Sequence, residues 1–210
     1  LKNIKKDYPL TEVIMISSVG GKDAAITIRV LEMGAMDFVL KPNETDADTS
    51  FKKIRDSLHM LFAQIKIKFH SSVVAKAADA IKEKRIISVD HITESRQTVV
   101  LPKKKPVEGG FDLIVIASST GGPGALEAIC KDLPESLNKP ILIVQHMPPE
   151  FTGVLAQSLD RKCPLRVVEG KEGDLVESGK AIIAPGGYHM VIADSRNSSK
   201  IVHLDSSPHV

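Results

Sequence analysis

Twice in the second half of the chain a short aliphatic run stops abruptly at polar residues, and a helical pattern follows at once. The two stretches are "FDLIVIASSTGGPGALEAI" over 111–129 and "PILIVQHMPPEFTGVLAQSL" over 140–159. A short apolar run with no alternation suits a strand covered on both faces. Strands separated by amphipathic helices run parallel, because the helix is the crossover that returns the chain to the same edge. This order constrains the fold more than any other feature. It predicts an α/β domain with a mainly parallel sheet, in which ligands and reactive groups gather at the carboxyl ends of the strands.

The first part of the chain follows the same rule. "TEVIMISS" (11–18) reads as a buried parallel strand. Residues 22–33 set Ala25 and Ile28 against Arg29 and Glu32 as a helix, which Gly34 stops. "MDFVLKP" (36–42) is a second strand, closed by a proline that forbids helical continuation. From Asp48 to Phe69, the residues Phe51, Ile54, Leu58, Leu61 and Ile65 recur at three- and four-residue steps, the pattern of a long amphipathic helix. Residues 71–110 lose this order and end in "LPKKKPVEGG", a linker composition with room for a helix near 73–84. The expected division is therefore 1–70, 71–110 and 111–210. Past the second helix of the last block, "LRVVEG" is a short strand, and "GKAIIAPGGYHMVIAD" reads as two strands meeting at a Pro-Gly-Gly turn.

Composition narrows the partners. A length of 210 residues holds one large domain or two ordinary ones. A net charge of +2 gives no electrostatic case for nucleic acid or a membrane surface. The run Lys103–Lys105 lies between Pro102 and Pro106 with no aromatic residue interleaved, so it reads as a solvated linker. No apolar run approaches the ~20 residues that cross a bilayer, and no secretory leader opens the chain, so a cytoplasmic location is expected. The two cysteines, Cys130 and Cys163, lack metal-type spacing and imply no disulfide. Cys130, in register with Leu126, Ile129 and Leu133, reads as a small core residue. The chain opens on Leu1 and ends within the strand-like "KIVHLDSS", so both ends are expected to continue in a longer protein.

Three polar clusters stand where chemistry is expected: Ser118-Ser119-Thr120, Gln145-His146 and Gly187-Tyr188-His189. The first two follow strands directly, and the third follows a turn. Ser119 is the better nucleophile of the serine pair. Ala117 and Gly121 flank it as a loosened form of the G-x-S-x-G elbow, where small neighbours permit a sharp strand-to-helix turn. The helix opening at Pro123 aims its free N–H groups back at this loop, where they would bind an oxyanion or a phosphate. The plain alternative is a cap and turn. His146 ends an apolar strand. If that strand neighbours the serine strand, the imidazole is placed to take the Ser119 proton. His189 fits either a substrate-binding role or a residue held by the Pro185-Gly186-Gly187 turn. A nucleotide site is the weaker reading, because "STGGPG" completes neither the Walker pattern nor G-x-G-x-x-G.

Four segments together resemble the chemotaxis protein-glutamate methylesterases, the CheB family. They are "IASSTGGPGALEAI", "PILIVQHMPPEFTGVLAQSLDR", "EGDLVESGKAIIAPGGYHM" and "VIMISSVGGKDAAITIRVLEMGAMDFVLKP". The first three are similar to the catalytic domain and the fourth to the second half of its receiver domain. The resemblance implies a flavodoxin-like receiver half, a linker and a doubly wound, parallel-sheet hydrolytic domain. It implies hydrolysis of glutamate γ-methyl esters on chemoreceptors, with deamidation of receptor glutamines. Receiver phosphorylation by the chemotaxis histidine kinase would regulate that activity.

Position by position, the resemblance places the nucleophile at Ser119, the catalytic histidine at His146, and substrate or oxyanion contacts at Thr120, Gly121, Gly122 and His189. It places phosphoryl contacts at Ser17 and Lys41. No cofactor is implied for catalysis. Mg²⁺ is implied at the receiver site of the intact protein. Its acidic ligands and the phospho-acceptor aspartate would precede Leu1, and the triad aspartate would follow Val210. Asp174, Asp194 and Asp205 stand in no matching motif. A segment lacking these groups is expected to have little activity by itself. The family usually has glycine at the position of Ala117 and alanine at that of Ser118. Two other readings are a non-catalytic signalling module and a nucleotide-binding domain.

Overall fold

The computed structural model describes residues 1–18, 21–42, 46–83, 112–195 and 199–207, with backbone alone at 21–22 and 70–83. The greater part of the linker expected over 71–110, with Lys103–Lys105, lies outside the described residues. So does Phe111, where the last block was expected to open. The chain forms two compact units, Leu1–Arg55 with Asp112–Val210, and Asp56–Phe111. What is described of the second unit is helix, since α3 (Ala47–Glu83) begins in the first unit and runs on to Glu83. The long helix thus extends beyond Phe69 and takes in most of the short helix expected near 73–84.

In the first unit a short helix α1 (Lys2–Asp7), which no sequence pattern announced, precedes β1 (Ile14–Ser17), α2 (Gly21–Glu32) and β2 (Asp37–Leu40). β1 and β2 pair in parallel, with Ser17 opposite Leu40. α2 ends where Gly34 takes φ +96°, a left-handed conformation that favours glycine.

The 112–210 part is built on a four-stranded, all-parallel sheet in the order β3-β4-β6-β5. Its strands are β3 (Ile114–Ser118), β4 (Ile141–Gln145), β5 (Arg166–Glu169) and β6 (Lys180–Ile183). α4 (Gly122–Asp132) and α5 (Pro149–Asp160) are the crossovers. One face of the sheet, with Ile141, Ile143, Val167, Ala181 and Ile183, packs with Leu126 and Cys130 of α4 and with Phe151, Leu155 and Leu159 of α5. Ala24, Ile28 and Leu31 of α2 extend the same cluster. The ring of Phe38 on β2 lies 4.7 Å from that of Phe151.

The other face, with Leu142 and Ile182, packs with Val202, Met190, Ile192 and Leu204. These come from β7 (His189–Asp194) and β8 (Lys200–Asp205), an antiparallel pair. A doubly wound domain has helices on both faces. Among the described residues the second face is covered by this hairpin instead. The two strands expected to meet at Pro-Gly-Gly are β6 and β7, and they belong to different sheets. β6 is buried along its whole length between β4 and β5, whereas β7 is only partly buried and takes β8 as its partner. Cys130 is buried as expected, but Ile129 is exposed, so the apolar face of α4 runs through Leu126 and Cys130 without it.

Candidate functional site

The parallel register of β3 on β4 pairs Ser118 with Gln145, so the two strands end level. The His146 N–H donates to the Ser118 carbonyl at 2.9 Å, carrying the ladder one residue past the strands. Ser119 and His146 therefore leave neighbouring strand ends side by side, and both are exposed. Ser118 differs from its neighbour. It is the last residue of β3, and its hydroxyl donates to Gln145 Oε1 at 2.6 Å. The serine left facing solvent is Ser119.

The turn after Ser119 is tight because Gly121 takes φ +75° as the N-cap of α4 and Pro123 occupies the first turn. The Gly122 N–H donates to the Ser119 carbonyl at 2.8 Å, and the Gly121 N–H donates to the Met36 carbonyl at 3.1 Å. The Thr120 hydroxyl donates to Asp37 Oδ2 at 2.6 Å. Both backbone donors read from the sequence as oxyanion groups thus have acceptors here, and two of the three loop contacts reach the amino end of β2. Sequence reasoning missed the part played by Met36 and Asp37. No local pattern marks a contact between residues 83 positions apart.

His189 opens β7 behind the Pro185-Gly186-Gly187 turn. That turn is seated on the segment that follows His146. A Cβ on Gly186 would lie 2.6 Å from both the Met147 carbonyl oxygen and the Pro149 nitrogen. The Gly186 N–H donates to the fully buried Thr152 hydroxyl at 3.2 Å, and that hydroxyl donates to Glu169 Oε1 at 2.6 Å. The third polar cluster is thereby fastened beside the second, and His189 pairs in register with Asp205.

Ser17 is buried at the end of β1, and its hydroxyl shares a 2.7 Å hydrogen bond with Thr27 of α2. Lys41 is exposed just after β2, and its backbone N–H donates to the Ser17 carbonyl at 2.7 Å. The two residues thus sit at the carboxyl ends of adjacent parallel strands. No group of three or more His, Cys, Asp or Glu side chains is placed to hold a metal among the described residues. A hydroxyl and an ammonium do not make a magnesium site.

Polar contacts also join α2 to α4 and α5. Glu32 accepts from Ser158 at 2.5 Å and pairs with Lys162 at 2.6 Å. Lys162 lies 3.1 Å from Glu127, which also pairs with Lys131. Burial opposes the charge on Glu127, but hydrogen bonds from Lys131 and Lys162 outweigh it and hold the carboxyl below its ordinary range. Cys130 and Cys163 are free thiols. Burial, then the neighbouring Cys130 sulfur, pushes the Cys163 thiol up to about 12, and burial raises Cys130 as well.

Fold and site together define a parallel-sheet α/β domain with a serine and a histidine at adjacent strand ends. Residues 114–210 match the CheB methylesterase family model and belong to that family. Similar curated proteins are named protein-glutamate methylesterase/protein-glutamine glutaminase. That of Pyrococcus horikoshii is 37% identical over all of this chain and 52% of its own length. That of Treponema denticola is 30% identical over 99% of this chain and 57% of its own. The chain spans about half the length of these relatives. The crystal structure of the Thermotoga maritima CheB methylesterase catalytic domain is 40% identical, with a TM-score of 0.45. That match covers 48% of this chain and 53% of the other.

Proposed function

We propose that the protein containing this chain is a serine hydrolase of glutamate γ-methyl esters on methylated chemoreceptors, and that it also deamidates receptor glutamines. The observation that carries the reading is the level ending of β3 and β4, which leaves Ser119 and His146 exposed at neighbouring carboxyl ends. His146 takes the proton from Ser119 Oγ as that oxygen bonds to the γ-carbonyl carbon. The C–O bond to the methoxy group then breaks, methanol leaves with the proton from His146, and water releases the acyl group by the reverse relay. An aspartate outside the described residues would orient the imidazole. Thr120, Gly121, Gly122 and His189 line the same end of the sheet and would contact substrate or oxyanion.

Residues 1–70 are the second half of a receiver domain in this reading, 71–110 a linker and 111–210 part of the catalytic domain. Ser17 and Lys41 would contact a phosphoryl group donated by the chemotaxis histidine kinase. Magnesium, held by acids elsewhere in the intact protein, would supply charge neutralisation there. The contacts of Met36 and Asp37 with the serine loop support regulation. Moving them away would release the Gly121 N–H and the Thr120 hydroxyl together. No helix among the described residues is long and apolar enough to cross a membrane; in this reading the protein acts from the cytoplasm.

The reading is tested by methanol release from methylated receptor with the intact protein and with its Ser119→Ala and His146→Ala variants. Loss of 10³-fold or more in both is expected for a serine–histidine pair acting as a unit. Activity unchanged in Ser119→Ala would overturn the reading.

A further inference from the structure

A glutamine at the end of an aliphatic strand is an expensive residue to bury, and Gln145 is only 5% exposed. Its amide is fully used. Oε1 accepts from the Ser118 hydroxyl at 2.6 Å, while Nε2 donates to the Ser119 carbonyl at 2.9 Å and to the His146 carbonyl at 3.2 Å. The orientation follows from the partners. Two carbonyl oxygens accept only from the NH₂ end, and turning the amide over would point Oε1 at both of them. One NH₂ group thus ties down the backbone of the candidate nucleophile and of the candidate base.

We propose, resting on the serine-hydrolase reading above, that Gln145 is the positioning residue that fixes Ser119 relative to His146, and that the Ser118 hydroxyl sets its amide the right way round. Gly122 bears out the closeness of the fit from the opposite side. A Cβ there would fall 1.9 Å from Gln145 Oε1 and 2.8 Å from its Cδ. A side chain at Gly122 would therefore displace the amide, whereas Gly121 is favoured by its positive φ. Ser118 gains a purpose that its neighbour's chemistry hides. It stays on the strand and holds the amide, which leaves Ser119 to react.

The experiment measures steady-state ester hydrolysis and Ser119 labelling by a fluorophosphonate in the intact protein, beside its thermal unfolding midpoint. Gln145→Glu keeps the acceptor for Ser118 but turns an acceptor toward the two carbonyls. The expected result is a fall in kcat of about 100-fold, the scale of an ångström-sized misplacement, with KM changed less than threefold. Ser118→Ala should lower kcat about tenfold, and Ser118→Thr, which keeps the hydroxyl, should restore it. Should Gln145→Glu unfold, the Ser118 pair decides alone. A parent protein that labels at Ser119, with kcat in Ser118→Ala equal to parent, would overturn the positioning role and leave the hydrolase reading intact. A folded parent that neither labels nor hydrolyses would overturn both.

Discussion

Gly186 shows how much one hydrogen atom can decide. Any Cβ there meets the Met147 carbonyl and the Pro149 nitrogen, both backbone, so neither neighbour can yield by changing rotamer. Gly186→Ala should lower stability by about 1–3 kcal/mol, read as an earlier urea midpoint at unchanged slope. It should also slow labelling of Ser119, because the displaced segment begins at His146. A second residue-scale test concerns His203, whose ring meets Glu172 Oε1 at 3.0 Å. The hydrogen bond and charge of Glu172 raise the imidazole above its ordinary 6.5, and His203 then the Leu204 N–H hold Glu172 below its ordinary 4.5. The histidine's contribution is complete below pH 6.5 and is lost as pH rises through the raised value. The glutamate's is complete above pH 4.5 and is lost as pH falls through the lowered one. The pair is therefore strongest between roughly pH 4.5 and 6.5. Both groups are exposed, so the effect is local. NMR titration should find the His203 midpoint above 6.5, and Glu172→Gln should return it toward that value.

At the scale of elements, α5 holds the unit together through Phe151, which is fully buried among the sheet residues with its ring tilted against that of Phe38 of β2. Phe151→Ala should cost about 3–5 kcal/mol in denaturant unfolding. The elements most legible in sequence were β3, β4, α4 and α5, which all fall within a few residues of their patterns, although Val115 of β3, an edge strand of the sheet, and Ile129 of α4 are exposed where the apolar pattern implied burial. β6 and β7 were legible as strands but not as members of different sheets. A run of strand-forming residues shows that a strand exists, and nothing local shows which partner it pairs with. Ser119 and His146 were legible as candidates because polar residues at the ends of aliphatic runs are costly without a purpose. Gln145 stood in the same run, yet its role needed the register of β3 on β4. The hold of Met36 and Asp37 on the serine loop needed the docking of a distant segment.

At the scale of the molecule, residues 1–55 and 112–210 form one compact unit, and the loop that carries Ser119 is gripped from the first of these segments. Asp37→Ala removes the acceptor of Thr120 while leaving the Met36 carbonyl in place. It should raise the rate of Ser119 labelling by about tenfold or more, since a hydrogen bond to a charged group contributes about 1.5–3 kcal/mol. An unchanged rate would mean that Asp37 does not restrain the loop. The central claim, that Ser119 and not Ser118 is the nucleophile, is tested most directly by peptide mass spectrometry of the intact protein after fluorophosphonate treatment. The expected result is a single adduct on Ser119, retained in Ser118→Ala and absent in Ser119→Ala. An adduct on Ser118, or one that survives in Ser119→Ala, would contradict it.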